Sequence, residues 1–165
     1  MIYVTLGTMH LGFDRLVNAM DAIARETGER TVVQTGLSKA FPAHCEHFDF
    51  KPREEALDVQ RQARVIVAHA GIGSIIDALL VGKPLVVVPR LREFHEHNND
   101  HQLDLARAVE RRGWGRVIFD VAELPEACAR PPAAHTHYIP DKLRLIGAVR
   151  EAILNSALSA SARRR

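Results

Sequence analysis

The sequence lacks most features that would set it apart from an ordinary globular protein. Its 165 residues include only two cysteines, Cys45 and Cys128. They stand far apart, with no CxxC spacing, so no disulfide framework is expected and a reducing, cytoplasmic setting is. No apolar run approaches the roughly 18 residues of a membrane span, so any membrane association is expected to be peripheral or through a partner. Met1 leads straight into Ile2-Tyr3-Val4-Thr5-Leu6, without a basic stretch ahead of an apolar one, and no secretion signal is expected. An excess of charge is missing too. Lys and Arg number 22 against 20 Asp and Glu, and part of the resulting +2 sits in Arg163-Arg164-Arg165. That balance argues against nucleic acid as a partner.

The common catalytic signatures are also absent. Gly71-Ile72-Gly73 begins like a dinucleotide fingerprint, but its third small residue would fall at Ile76, and no acidic residue ends the following strand, which closes in Val88-Pro89. There is no GxxxxGK[ST] loop. Ser74 has no glycine on its far side, so it does not sit in a hydrolase elbow. His95, His97 and His101, with Glu93, Glu96 and Asp100 between them, do not form HExxH, and a polar loop contacting a sugar is the more economical reading than a metal site.

What is present is an alternation of apolar runs and amphipathic segments. With 47% hydrophobic and 25% charged residues, the chain is expected to form one soluble domain over residues 1–155, followed by a basic tail from 156 to 165. Strands are predicted at Ile2–Leu6, Thr31–Thr35, Phe48–Phe50, Arg64–Ala68, Pro84–Pro89 and Arg116–Phe119. Helices are predicted from Phe13 to a cap at Gly28, after Pro52, from Ser74 to Gly82, from Asn99 to Gly113, around Glu123–Ala129, and from Pro140 to Leu154. Strands separated by helices predict an α/β, Rossmann-like three-layer domain with a mainly parallel six-stranded sheet. Ligands of such sheets sit beyond the carboxyl ends of the strands. Here that means the loops at Gly7–Gly12, Gly36–Ser38, His69–Ser74 and Pro89–Asn99.

The central feature is Val65–Leu80, a buried strand that runs through a glycine turn into a helix. The helix start points unpaired N–H groups and a positive dipole end into the turn, which suits a pyrophosphate. Ser74 adds a hydroxyl donor. Asp77, one turn into the predicted helix, either accepts two ribose hydroxyls or complements the helix dipole. Gly71 and Gly73 serve either close ligand approach or tight packing. His69 can hydrogen-bond a phosphate or sugar hydroxyl, or be a satisfied structural histidine; as a catalytic base it lacks a nearby orienting carboxylate. Asn98-Asn99-Asp100 is expected to cap the next helix, with Gln102 facing back to the site.

His69–Ser74, Gly82–Pro89 and Asn99–Ala106 together resemble the C-terminal, donor-binding domain of the GT-B glycosyltransferases of family 28. Tyr3–Thr8 followed by Phe13–Leu16 resembles the start of its short members, soluble subunits of two-component transferases of the eukaryotic UDP-GlcNAc and bacterial exopolysaccharide kind. The first loop, Met9–Gly12, is longer than in those members. The resemblance implies that Gly71, Ile72, Gly73 and Ser74 hold the donor diphosphate and that Asp77 binds ribose. It places Asn99, His101 and Gln102 at the donor sugar, the backbone near Phe50 at uracil, and Gly7 and Thr8 facing the cleft. It implies inverting transfer from a UDP-sugar to a lipid-diphosphate-linked saccharide, with no cofactor and no obligatory metal. A membrane-anchored partner would supply the acceptor site and the base, bringing the cytoplasmic chain to the membrane, and self-association is also possible. The contrasting reading is a nucleotide-sugar-binding or regulatory module without activity of its own.

Overall fold

The computed structural model describes residues 1–99 and 101–135. The helix expected at Pro140–Leu154, the basic tail and Asp100 lie outside the described residues. The elements in chain order are β1 (Ile2–Thr5), α1 (Asp14–Thr27), β2 (Thr31–Gln34), β3 (Glu46–Phe48), α2 (Arg53–Arg61), β4 (Val65–His69), α3 (Ile72–Val81), β5 (Leu85–Val88), α4 (His101–Arg111), β6 (Arg116–Val117) and α5 (Leu124–Ala129). The sheet order is β3-β2-β1-β4-β5-β6, and every neighbouring pair is parallel. This is the doubly wound order whose direction of growth reverses between β1 and β4.

The layers follow from strand alternation. Ile2, Val4, Val65, Val67, Val86 and Val88 pack on one face with α1 and α5. Tyr3, Ile66, Ala68, Leu85 and Val87 pack on the other with α3 and α4. Central strands covered on both faces must be apolar at every position, which is why they read as unbroken runs. Gly28 and Gly82 close α1 and α3 in the left-handed conformation, at φ of 65° and 64°.

Two boundaries differ from expectation in ways that matter for the site. The third strand lies at Glu46–Phe48, not at Phe48–Phe50. As an edge strand it needs no apolar run, and its exposed Glu46 and His47 pair in register with Val32 and Val33. Phe50 is thereby left on the loop before α2. Helix α3 starts at Ile72, two residues before Ser74, with extended Gly71 as its cap. The Ile75 N–H already reaches the Gly71 carbonyl at 3.0 Å. Gly73 thus sits in the first turn and Asp77 in the second, where the dipole of the helix start has largely faded. The loop expected to be irregular between Leu91 and Asn98 holds a 3-10 turn at Arg92–Phe94. Helix α4 begins at His101, whose N–H is capped by Asn99 Oδ1 at 3.2 Å.

Candidate functional site

At the reversal point, a cavity of about 330 Å³ opens beyond the carboxyl ends of β1, β2 and β4. Gly7, Thr8, His69, Gly73, Ser74 and Asp77 line it, all named from the sequence. The same wall includes Lys51, Arg53, Gln34 and Gln60, which sequence reasoning missed. Ile72 stands partly exposed at the start of α3.

His69 is the keystone of the glycine turn. It is only 8% exposed, and its Nδ1 lies 3.4 Å from the Thr5 carbonyl. A Cβ on Gly71 would fall 2.0 Å from its Nε2, and a Cβ on Gly7 2.4 Å from its Cε1. Gly7 also has φ of 72°, so both glycines are demanded by the imidazole they enclose. Gly73 differs: a Cβ there would meet nothing within 4 Å. Burial, then the charge of Arg90, pushes the His69 pKa down to about 4, opposed by the contact with Thr5. At neutral pH the ring is uncharged; with Nδ1–H donating to Thr5, its Nε2 is an acceptor toward the glycine turn.

Asp77 is not free. Arg53 Nε and Nη2 both donate to its Oδ1, at 3.1 and 2.5 Å. A cation in the first turn of α2 opposes that helix's own dipole. Glu54 and Glu55 offset it in the same turn, and Arg53 Nη1 also lies 3.6 Å from Glu54 Oε1, so the sequence around Pro52-Arg53 carries no sign of the longer-range pair. The Asp77 carboxylate comes from α3 across the cavity.

The structure does not bring every candidate to this cavity. Phe50 is about half exposed, its ring 3.9 Å from where a Gly36 Cβ would sit. Asn99 and His101 are exposed at the start of α4, outside the lining. Gln102 is buried, and its Oε1 accepts the Arg90 N–H at 3.0 Å. It fastens α4 to the end of β5 and is not among the residues that line this cavity. Among the described residues, no group of three or more His, Cys, Asp or Glu is arranged to hold a metal ion.

Arg90 was also missed, although a charged residue directly after the apolar β5 run was visible. It is 1% exposed, and burial draws its pKa down to about 10, so it stays cationic at neutral pH. Its guanidinium donates to the carbonyls of Leu6, Leu11, Gly12 and Glu96 and lies 4.8 Å from the Phe13 ring centroid. The first loop is therefore tied down by main-chain contacts to one buried cation.

A polar cavity at the reversal point of an all-parallel sheet, walled by a glycine turn, defines a Rossmann-like domain of the kind that forms half of a GT-B enzyme. Residues 1–127 match the glycosyltransferase family 28 C-terminal domain, and the chain belongs to that family. It is 31% identical over 128 residues to the human UDP-N-acetylglucosamine transferase subunit ALG13, covering 68% of this chain and 10% of that protein. The corresponding Eremothecium gossypii subunit is 39% identical over 85 residues, covering 50% of this chain and 39% of that one. The chain thus spans a minor part of these relatives. Among solved structures, the kitacinnamycin glycosyltransferase superposes with a TM-score of 0.61 at 24% identity, covering 93% of this chain and 39% of that one. The solution structure of ALG13 gives 0.57 at 16% identity, covering 83% and 89%. At these identities the structural likeness is one of fold. No helix among the described residues is long and apolar enough to cross a membrane.

Proposed function

We propose that this chain is the donor-binding and catalytic subunit of a two-component glycosyltransferase that moves a sugar from a UDP-sugar to a lipid-diphosphate-linked saccharide. The observation that carries the reading is the cavity at the sheet's reversal point, with the start of α3 on one side and Asp77 behind it. In this reading Gly71–Ser74 hold the diphosphate, and the open space at Gly73 lets a phosphate oxygen approach the backbone. The dipole of α3 stabilises the departing UDP without need of a metal. Asp77 accepts ribose hydroxyls, sharing its carboxylate with Arg53 or exchanging Arg53 for them. By the family resemblance, Asn99 and His101, which stand outside the lining of this cavity, are assigned to the donor sugar, and the backbone between Phe50 and Lys51 to the base.

His69, at a pKa of about 4, is a weak general base at neutral pH. It serves as an acceptor that orients a ligand hydroxyl, and the base comes from a membrane-anchored partner, which also brings the acceptor. The fit of a subunit role is supported by the likeness to transferase subunits. Buried His69 also favours a second reading, a nucleotide-sugar-binding module without activity. Sugar transfer assayed with and without the partner separates the two; a reconstituted pair inert with every UDP-sugar leaves only the second.

Calorimetry with UDP tests the site itself. Asp77→Ala is expected to weaken binding roughly tenfold, about 1.4 kcal/mol, in a variant with unchanged circular dichroism. Unchanged affinity removes Asp77 from the ribose contact.

A further inference from the structure

A second cavity, of about 490 Å³, lies on the opposite side of the first loop, between that loop, Leu37–Lys39 and the turn at Phe94–Glu96. Gly7 and Thr8 face the first cavity while His10, Leu11 and Gly12 face this one, so a single loop walls both. Nothing in the donor reading uses it.

Its far wall is built with unusual care for a surface turn. Glu96 is 5% exposed. It takes Arg15 Nε and Nη2 at 2.9 Å each and also accepts the Leu91 N–H at 3.1 Å. The Arg15 guanidinium is held further by the carbonyls of Pro89 and Phe119. It lies 4.8 Å from the Phe94 ring centroid and 5.3 Å from that of Phe13. Phe94 is therefore seated on an immobilised cation and still 52% exposed. The next residue, His95, is the one non-glycine residue with positive φ among the described residues, at 57°. Backbone strain of this kind costs about 1 kcal/mol or more and gathers where a site needs it.

In formal charge the cavity balances, Arg15 and Lys39 against Asp14 and Glu96, but the four do not form two ion pairs. Asp14 is occupied by the N–H groups of Lys39 and Ala40, and Arg15 and Glu96 neutralise each other. Lys39 has no ion-pair partner among the described residues, and His10 and His95 line the same cavity. An exposed aromatic face fixed from behind suits the C–H face of a sugar ring, and an unpaired ammonium with two imidazoles suits an anionic group.

The geometry points to an acceptor subsite on this chain: the cavity between Phe94 and Lys39 takes a saccharide that carries a phosphate. This rests on the transferase reading and adds to it that the acceptor is held partly by this chain and not by a partner alone.

The test is amide NMR on the full chain, first saturated with UDP so that the donor cavity is filled, then titrated with a hexose 1-phosphate into the tens of millimolar. Shifts are expected at Lys39, Phe94 and His95, with weaker responses to the free hexose and to inorganic phosphate. Phe94→Ala and Lys39→Ala, both at exposed side chains, are each expected to weaken binding roughly fivefold or more. No shift at these amides overturns the subsite. So do shifts confined to Gly71–Ser74, an equal response to inorganic phosphate, or indifference to both substitutions. Failure of UDP itself to shift Gly71–Ser74 counts instead against the donor reading.

Discussion

The two cavities beside the first loop are built by different means. The one at the sheet's reversal point is framed by main chain, a glycine turn, a helix start and strand ends whose positions the sheet dictates, with His69 and the Arg53–Asp77 pair set into that frame. The one at Phe94 is made of side chains, namely a buried ion pair, an aromatic ring set on a guanidinium, and a strained histidine. A site framed by main chain shares its stability with the whole fold. A site of side chains depends on a few desolvated charges, and it can be altered without disturbing its neighbour.

The largest test of that difference is Glu96→Ala. It strands Arg15 in a largely buried place, and urea denaturation is expected to show a loss of about 3 kcal/mol, with UDP affinity unchanged. A parallel fall in UDP affinity breaks the distinction. Acid should reveal the other side. Between pH 6.5 and 4 the unfolded chain protonates the residue-69 imidazole while the folded chain, with its pKa held at about 4, does not. Stability is therefore full above pH 6.5 and falls as pH drops toward 4, by about 3 kcal/mol from this group. His69→Gln should flatten that slope; an unchanged slope refutes the burial. Gly71→Ala forces a methyl onto the His69 ring and is expected to cost about 1–3 kcal/mol in thermal or urea unfolding. Gly73→Ala has open space around it and sits in a helix, so it should stabilise by about 0.5 kcal/mol while weakening UDP binding. Equal behaviour of the two glycine variants would mean that they do the same job, contrary to their surroundings.

This contrast also accounts for what could be read in the sequence. Glycine turns, apolar runs and helix starts are local patterns, so the strand order's ingredients and the presence of Gly73, Ser74 and Asp77 at the reversal-point cavity were legible in the sequence. The displaced third strand was not, because an edge strand is held by pairing with β2 and not by its own hydrophobicity. Arg53, Arg90 and the Arg15–Glu96 pair were missed for a related reason. The last two residues are 81 positions apart in the chain, and neither carries a sign of the other. Gln102 was placed on the right helix, but its partner, the Arg90 N–H, becomes visible only when β5 and α4 are seen together.

The outer strands of the sheet have a consequence for assembly. β3 has three residues and β6 two, so the described edges offer almost no unpaired ladder to an incoming strand. Growth of the sheet into a second molecule is thereby blocked at little cost. Contacts with another polypeptide fall instead to loops and helix surfaces, where residues can change without disturbing a single strand. The same scaffold can in this way acquire new neighbours while its interior stays as it is.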